Sequence, residues 1–429
     1  MMRTFIEPDR SIWKELCNRP QLELEFLEGT VRNILLRVKQ GGDAALRDLN
    51  RQYEGANLQH IEVTPHEIAS AASNISPALA KALKTAAVNI EKFHRAQLPD
   101  DIKVETQPGV TCWRKTVPLD RVGIYIPGGT APLFSTVLML VLPARIAGCK
   151  EIVICTPPDK HGTIHPAILY AARQAGAHRI FKVGGAQAIA AMAYGTETIP
   201  PVDKIFGPGN QYVTKAKEMV AREGVAIDLP AGPSEVLVWA DETANPAFVA
   251  ADLLSQAEHG TDSQVMLVCN TLNLAEKVTA EVGTQLETLP RKDLAKLSLN
   301  NSRAIIFSDA NVAADFINTY APEHLIINTA NTLQDAELIR NAGSVFLGNY
   351  TPEAAGDYAS GTNHTLPTNG FAKVYGGVSA ESFMKHITFQ HITRGGLEKL
   401  GPVIVEMART EQLEGHARAV SIRLAQQNG

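Results

Sequence analysis

Gln256-Ala-Glu-His259-Gly260, Gly356-Asp357, His364 and Gly415-His416 set amide, carboxylate and imidazole donors beside glycines or other polar groups. Nitrogen and oxygen donors without a thiolate suit Zn²⁺ or Mn²⁺ in a catalytic rather than a structural site. Between the first two groups stands Pro322-Glu323-His324. An adjacent carboxylate and imidazole supply two proton-transfer groups that work near neutral pH. The combination reads as an enzyme.

Each group also has a plainer reading. Asn245, Pro246 and Gly260 suit an N-cap, a first helical residue and a stop, so Gln256 and His259 would share one face near a helix end. One ion could then meet both, but on this motif alone a solvated glutamine and a histidine capping a helix C-terminus are the favoured reading. Glu323-His324 precedes the apolar run Leu325-Ile-Ile327, where an exposed turn competes with a functional pair. Asp357 and His364 fall in the stretch 348–377, which has six glycines and reads as one long loop. Loops longer than about fifteen residues are functional or disordered, and Tyr350, Tyr358, Phe371 and Tyr375 argue against disorder. Glu411 and His416 would point apart in an unbroken helix, whereas a break near Leu413 to Gly415 would let both aim into one site. The remaining histidines read as surface or packing residues. Cys155 ends an apolar strand and Cys112 lies in Thr-Cys-Trp, neither beside a histidine, so thiol catalysis has little support.

The elements that must position these groups follow from pattern. At 429 residues the chain exceeds one ordinary core. With 45% hydrophobic and 20% charged residues it has the composition of a soluble globular protein. A net charge of -5 without basic blocks gives no support for nucleic-acid binding. The N-terminus lacks the apolar run of a signal peptide. The longest apolar stretch, Ala131 to Gly148, is broken by Pro143 and Arg145 and reads as a buried helix rather than a membrane span. Five cysteines without a CxxC pair fit a reducing cytoplasm.

Residues 1–120 read as a helical segment closed by a hairpin around Gln107-Pro108-Gly109. From Arg121 the pattern becomes strand, glycine loop, helix, at Gly128-Gly129, Gly184-Gly185 and Gly207-Pro208-Gly209. This predicts an α/β lobe with a parallel sheet over 121–233 and a second over 234–379, with a cleft between them and a helical tail over 380–429. Both lobes are Rossmann-like in rhythm, but no GxGxxG is present, which counts against the standard dinucleotide site. Glycine loops at helix starts could still hold phosphates.

These stretches together resemble the L-histidinol dehydrogenase family. The matching segments are Val122-Gly-Ile-Tyr-Ile-Pro-Gly-Gly129, Val183-Gly-Gly-Ala-Gln-Ala188, Ile205-Phe-Gly-Pro-Gly-Asn210 and Asp228-Leu-Pro-Ala-Gly-Pro-Ser-Glu235. They continue with Leu254-Ser-Gln-Ala-Glu-His-Gly260, Ala321-Pro-Glu-His-Leu325, Gly356-Asp-Tyr-Ala-Ser-Gly-Thr-Asn-His364 and Glu411 to His416. The resemblance implies oxidation of L-histidinol to L-histidine with NAD and one Zn²⁺ per subunit. It implies Gln256, His259, Asp357 and His416 as zinc ligands, which also meet substrate together with Ser234, His324, His364 and Glu411. It gives the acid–base work to Glu323 and His324, and the NAD side to Tyr125, Gln187 and Asn210. It further implies a homodimer whose C-terminal tail reaches the partner's active site; the charge, the apolar pattern and the cysteines read above add a cytoplasmic protein with no nucleic acid or membrane as partner. Two readings from the residues alone stand beside it. One is a metal-dependent hydrolase with Glu323 activating water. The other is a regulatory nucleotide binder with a structural zinc, a role for which a Gln/His/Asp/His set is unusual.

Overall fold

Short apolar runs become the strands of two parallel sheets, and in the first sheet three of them run into glycine loops. The computed structural model describes residues 2–20, 24–128, 131–230 and 232–425. Gly129 of the first glycine loop, Ala231 of the Asp228 to Glu235 segment, the expected helix start at Glu23 and the final Gln-Gln-Asn-Gly lie outside these residues. The described chain divides into two compact units, Met1–Gln97 with Leu119–Phe383, and Leu98–Pro118 with Met384–Gly429.

In the first unit, one sheet runs in the order Arg179–Lys182, Glu151–Thr156, Arg121–Tyr125, Lys204–Phe206, Ala226–Ile227, all parallel. Counted along the chain this is the order 3-2-1-4-5 of a doubly wound half. The second sheet repeats it with Arg303–Ile306, Gln264–Cys269, Glu235–Ala240, His324–Asn328 and Ser344–Leu347. The strand Arg3–Ile6, which the sequence reading leaves in a helical segment, pairs in parallel with Arg303–Ile306 and extends this sheet by one strand. The central strands are buried along their whole length, as parallel strands covered on both faces must be. The helix Phe134–Ala147 is buried around nearly its whole circumference, which explains its unbroken apolar run.

Local chemistry sets the helix ends that matter for the site. The Asn210 side chain accepts from the N–H groups of Tyr212 and Val213 and so starts Gln211–Arg222. Asn245 caps Pro246–Ala257, which ends three residues before the expected stop at Gly260. The long N-terminal helix Leu24–Tyr53 kinks at Gly42, where φ is 47°. Glycine is required at 207, where φ is +121° and a Cβ would strike the carbonyl of Tyr125.

In the second unit, Ile102–Gln107 and Val110–Pro118 form the expected antiparallel hairpin. Beyond Ala380 the sequence reading carries on as helix, but Met384–Ile392 is a strand pairing antiparallel with Val110–Pro118. The physical reason is its alternation of β-branched and aromatic residues, with Phe389 stacked on Trp113 at 5.3 Å. Two helices follow, Arg394–Thr410 and Glu414–Ala425.

The glycine loop after Lys204–Phe206 is tied down by a buried ion pair. Lys217 Nζ meets Asp228 at 2.5 Å and donates to the Gly207 carbonyl at 2.9 Å, while Asp228 accepts from the N–H of Gly207 at 2.8 Å. Removing one member of such a pair leaves a buried charge without its partner. Lys217→Met should therefore destabilise the fold by roughly 3–5 kcal/mol. Adding Asp228→Asn should return at least half of that loss in denaturant unfolding, and a double variant no more stable than the single one would contradict this account.

Candidate active site

The second sheet brings its chemistry to the amino edge of its strands. His324 is the first residue of His324–Asn328 and lies in register with Val236, while Glu235 opens the neighbouring strand. Gly343 lets the chain pass close by, since a Cβ there would lie 2.5 Å from the Glu323 carbonyl. The helix Pro246–Ala257 runs back across the sheet and delivers Gln256 and His259 to the same edge. Asp357 sits on a short helix, Glu353–Tyr358, inside the stretch read from sequence as a loop.

His324 is the centre of the arrangement. Its Nδ1 lies 3.0 Å from the backbone carbonyl of Glu235. A carbonyl can only accept, so Nδ1 carries a proton. Nε2 has no hydrogen-bond partner and lies 3.4 Å from Asp357 Oδ1. The carboxylates of Glu323 and Glu353 each approach Nδ1 to 3.6 Å. Glu323 is itself held by the N–H of Glu235, which donates to its Oε2 at 2.8 Å. With the Gln256 amide oriented to satisfy both ends, its nitrogen donates to Glu353 Oε1 at 2.7 Å and its oxygen accepts from Glu235 N–H at 3.1 Å.

Crowding acidic groups in a closed space has electrostatic consequences. Burial pushes the Glu323 carboxyl up to about 8, despite the opposing pull of His324 and the Glu235 N–H. Burial likewise raises Glu353 to about 8 and Asp252, behind it, to about 7. Burial disfavours charge on His324, but the facing carboxylates of Glu353, Glu323 and Asp357 outweigh it and hold the imidazole above its usual range as long as no cation offsets their charge. His324, Glu353 and Asp357 offer donor atoms within 4.8 Å of one another. The Asp357 carboxylate, the Gln256 amide and the His259 imidazole, gathered at this edge beside His324, fit a divalent cation bound by nitrogen and oxygen.

The sequence-derived candidates fall into three places. Gln256, His259, Glu323, His324, Asp357 and His364 share one region. His364 Nδ1 lies 3.0 Å from the Asp357 carbonyl and its Nε2 lies 3.1 Å from Thr136 Oγ1. Asp357 is held below the usual carboxylate range, burial being outweighed by His324, His364 and His259 around it. A cleft of about 680 Å³ is lined by Ser234, His259, Glu323 and His364 and extends to Gly207, Gly209 and Asn210. Tyr125 and Gln187 lie by the second glycine loop. The Tyr125 hydroxyl accepts from the N–H of Gly185 at 3.0 Å, and the buried Gln187 amide nitrogen has no partner. Glu411 and His416 belong to the second unit, where both are exposed. The helix break there falls at residues 411–413, with Gln412 at φ 60°.

Sequence reasoning passed over Glu353, Asp252 and Glu235. Glu353 had a signal, since it stands four residues before Asp357 and shares its helical face. Asp252 had one too, four residues before Gln256. Glu235 acts mainly through its backbone, which no side-chain pattern reveals.

The loop carrying His364 is anchored by His94, whose Nδ1 donates to the Ile90 carbonyl at 2.8 Å. Its Nε2 accepts from the Asn363 amide at 3.3 Å. Burial depresses His94 below its ordinary value of 6.5. The unfolded chain therefore binds the proton more readily, and the stability from neutral His94 is present above pH 6.5 and lost as pH falls through the lowered folded value. The midpoint of thermal unfolding should fall more steeply from pH 7.5 to 5 in the native protein than in His94→Gln; parallel curves would show that His94 contributes nothing.

Comparison with known proteins gives a consistent result. A family model described as histidinol dehydrogenase matches residues 17–424. The chain is 58% identical over 423 residues to a histidinol dehydrogenase of Bacteroides fragilis (strain YCH46), covering 99% of each. It is 50% identical over 412 residues to one from Vibrio parahaemolyticus, covering 95% of each. The crystal structure of histidinol dehydrogenase from Elizabethkingia anophelis superposes with a TM-score of 0.96 at 53% identity, covering 99% of this chain and 98% of that one.

Proposed function

The chain belongs to the histidinol dehydrogenase family, and we propose that it oxidises L-histidinol to L-histidine through L-histidinaldehyde, passing two hydrides to NAD. The observation that carries this reading is His324. Its Nδ1 is bound to the Glu235 carbonyl, its Nε2 is unpartnered, and Glu323 stands beside it.

In the first oxidation His324 Nε2 takes the hydroxyl proton as the carbinol C–H leaves as hydride, giving the aldehyde and one NADH. Glu323 then takes a proton from water, whose oxygen adds to the aldehyde carbon to form the hydrate. His324 accepts a hydroxyl proton again as the second hydride leaves, giving the carboxylic acid. The sum is one alcohol, two NAD⁺ and one water converted to one carboxylate, two NADH and three protons. No thiol adduct is required. Cys155, at the end of its strand, is fully buried.

Zinc fits the site, with Gln256, His259 and Asp357 as ligands from this unit; when bound it would fix the imidazole and amine of the substrate and polarise its oxygen. We read His416 as the fourth ligand and Glu411 as a substrate contact, both supplied by the other subunit of a homodimer. Their exposure in this chain supports that reading. Ser234 and His364 would hold substrate from the cleft wall. Tyr125, Gln187 and Asn210 would face NAD, a role supported by the unpartnered Gln187 amide and by Asn210 at a helix start. No described helix is long and apolar enough to cross a membrane, and five free cysteines suit the cytoplasm.

Because Glu323 serves the hydration step, Glu323→Gln should separate the two halves. Oxidation of supplied L-histidinaldehyde should slow by about 10²–10⁴-fold, the usual worth of a general base, while the alcohol half slows by less than about tenfold. Equal losses in both halves would remove Glu323 from hydration.

A further inference from the structure

Among the described residues left out of this mechanism, Arg19 is a buried polar group whose contacts lead back to both proton-transfer residues. Its guanidinium grips the Glu235 carboxylate with two prongs, Nε to Oε1 at 3.0 Å and Nη2 to Oε2 at 2.9 Å. Nη2 also donates to the Tyr320 carbonyl at 2.7 Å, and the guanidinium carbon lies 3.8 Å from the centroid of the Tyr320 ring. The two paired side chains are 9% and 1% exposed. Glu235 Oε1 accepts a further bond from the N–H of Asn369 at 2.6 Å.

The same residue, Glu235, presents its peptide N–H to Glu323 and its peptide carbonyl to His324 Nδ1. Its side chain and its two peptide groups radiate from one Cα, so a carboxylate held at fixed points restrains the planes of both peptides. A planar guanidinium with two parallel N–H bonds, stacked on an aromatic ring, fixes orientation in a way a lysine ammonium cannot. Nothing in the pair needs to touch substrate for this to matter, because a displacement of about 1 Å at the reacting groups costs about 10²-fold in rate.

We propose that Arg19 is a positioning residue for proton transfer, clamping Glu235 so that the two peptide groups flanking its Cα hold the Nδ1–H of His324 and the carboxylate of Glu323 in place. The kinetic consequence rests on the dehydrogenase reading; the structural consequence does not. Arg19→Met and Arg19→Lys therefore need two readouts. The first is solvent exchange of the imidazole Nδ1–H proton in ¹⁵N-histidine-labelled protein, with the His324 signal assigned by its loss in His324→Gln. The second is steady-state kinetics with L-histidinol and NAD.

Exchange of that proton should accelerate at least about tenfold in both variants as the bond to the Glu235 carbonyl loosens. The kcat should fall about 10- to 100-fold in Arg19→Met, with KM for both substrates within about threefold, as expected for misaligned proton transfer rather than lost binding. Arg19→Lys, which keeps the charge and the fold, should recover part of kcat. Variants with a lower melting temperature but native Nδ1–H protection and native kcat would overturn the proposal by reducing Arg19 to a structural role. If the native protein does not oxidise histidinol, the functional reading fails, and the exchange measurement alone decides the role of Arg19.

Discussion

The 3.0 Å bond from His324 Nδ1 to the Glu235 carbonyl joins the first residues of two neighbouring strands, and the site depends on it. It commits one imidazole nitrogen to the backbone and leaves the other without a hydrogen-bond partner, as the proposed acceptor role needs. The adjacent N–H of Glu235 commits Glu323 in the same way. His324 and Glu323 are thus both referred to one residue, through the two peptide groups flanking the Glu235 Cα, in a sheet whose central strands are fully buried. Around them Glu353, Asp357 and Asp252 add negative charge in a low-dielectric space. Burial is the main reason that Glu323 and Glu353 rise to about 8, and the neighbouring carboxylates add to it.

The two lobes share the strand order 3-2-1-4-5 but use opposite ends of their sheets. The first presents glycine loops and helix starts at its carboxyl edge, the usual ligand edge of doubly wound sheets. The second presents His324 and Glu235 at its amino edge, together with the C-terminal end of Pro246–Ala257. A cleft lined by Asn210 and Gly207 on one side and by Ser234, His259 and Glu323 on the other brings these edges together. Two related halves thus face different edges inward, which suits the division into a cofactor side and a reaction side proposed above.

Much of this was legible in the chain. Strands and helices alternate regularly enough, with glycine loops between them in the first lobe, that both parallel sheets could be placed, and the long shared segments identified the family. Glu323, His324, Gln256, His259, Asp357 and His364 do meet. The edge on which they meet was not legible, because strand direction says nothing about which end a cleft will use. The short helix Glu353–Tyr358 was hidden by the glycines around it, and with it the i, i+4 pairing of Glu353 and Asp357. The strand Met384–Ile392 was hidden because its pairing partner, Val110–Pro118, lies far away in sequence. Arg19 and Glu235 were invisible as a clamp for the same reason, being 216 residues apart.

The most direct test is the NADH yield from limiting L-histidinol with excess NAD⁺, before chelation, after chelation and after zinc is restored. The account requires two NADH per substrate, lost with the metal and regained with it. A yield of one would leave the aldehyde unoxidised and contradict the hydration role at the centre of the mechanism, and turnover unaffected by chelation would contradict the cation that the crowded carboxylates call for.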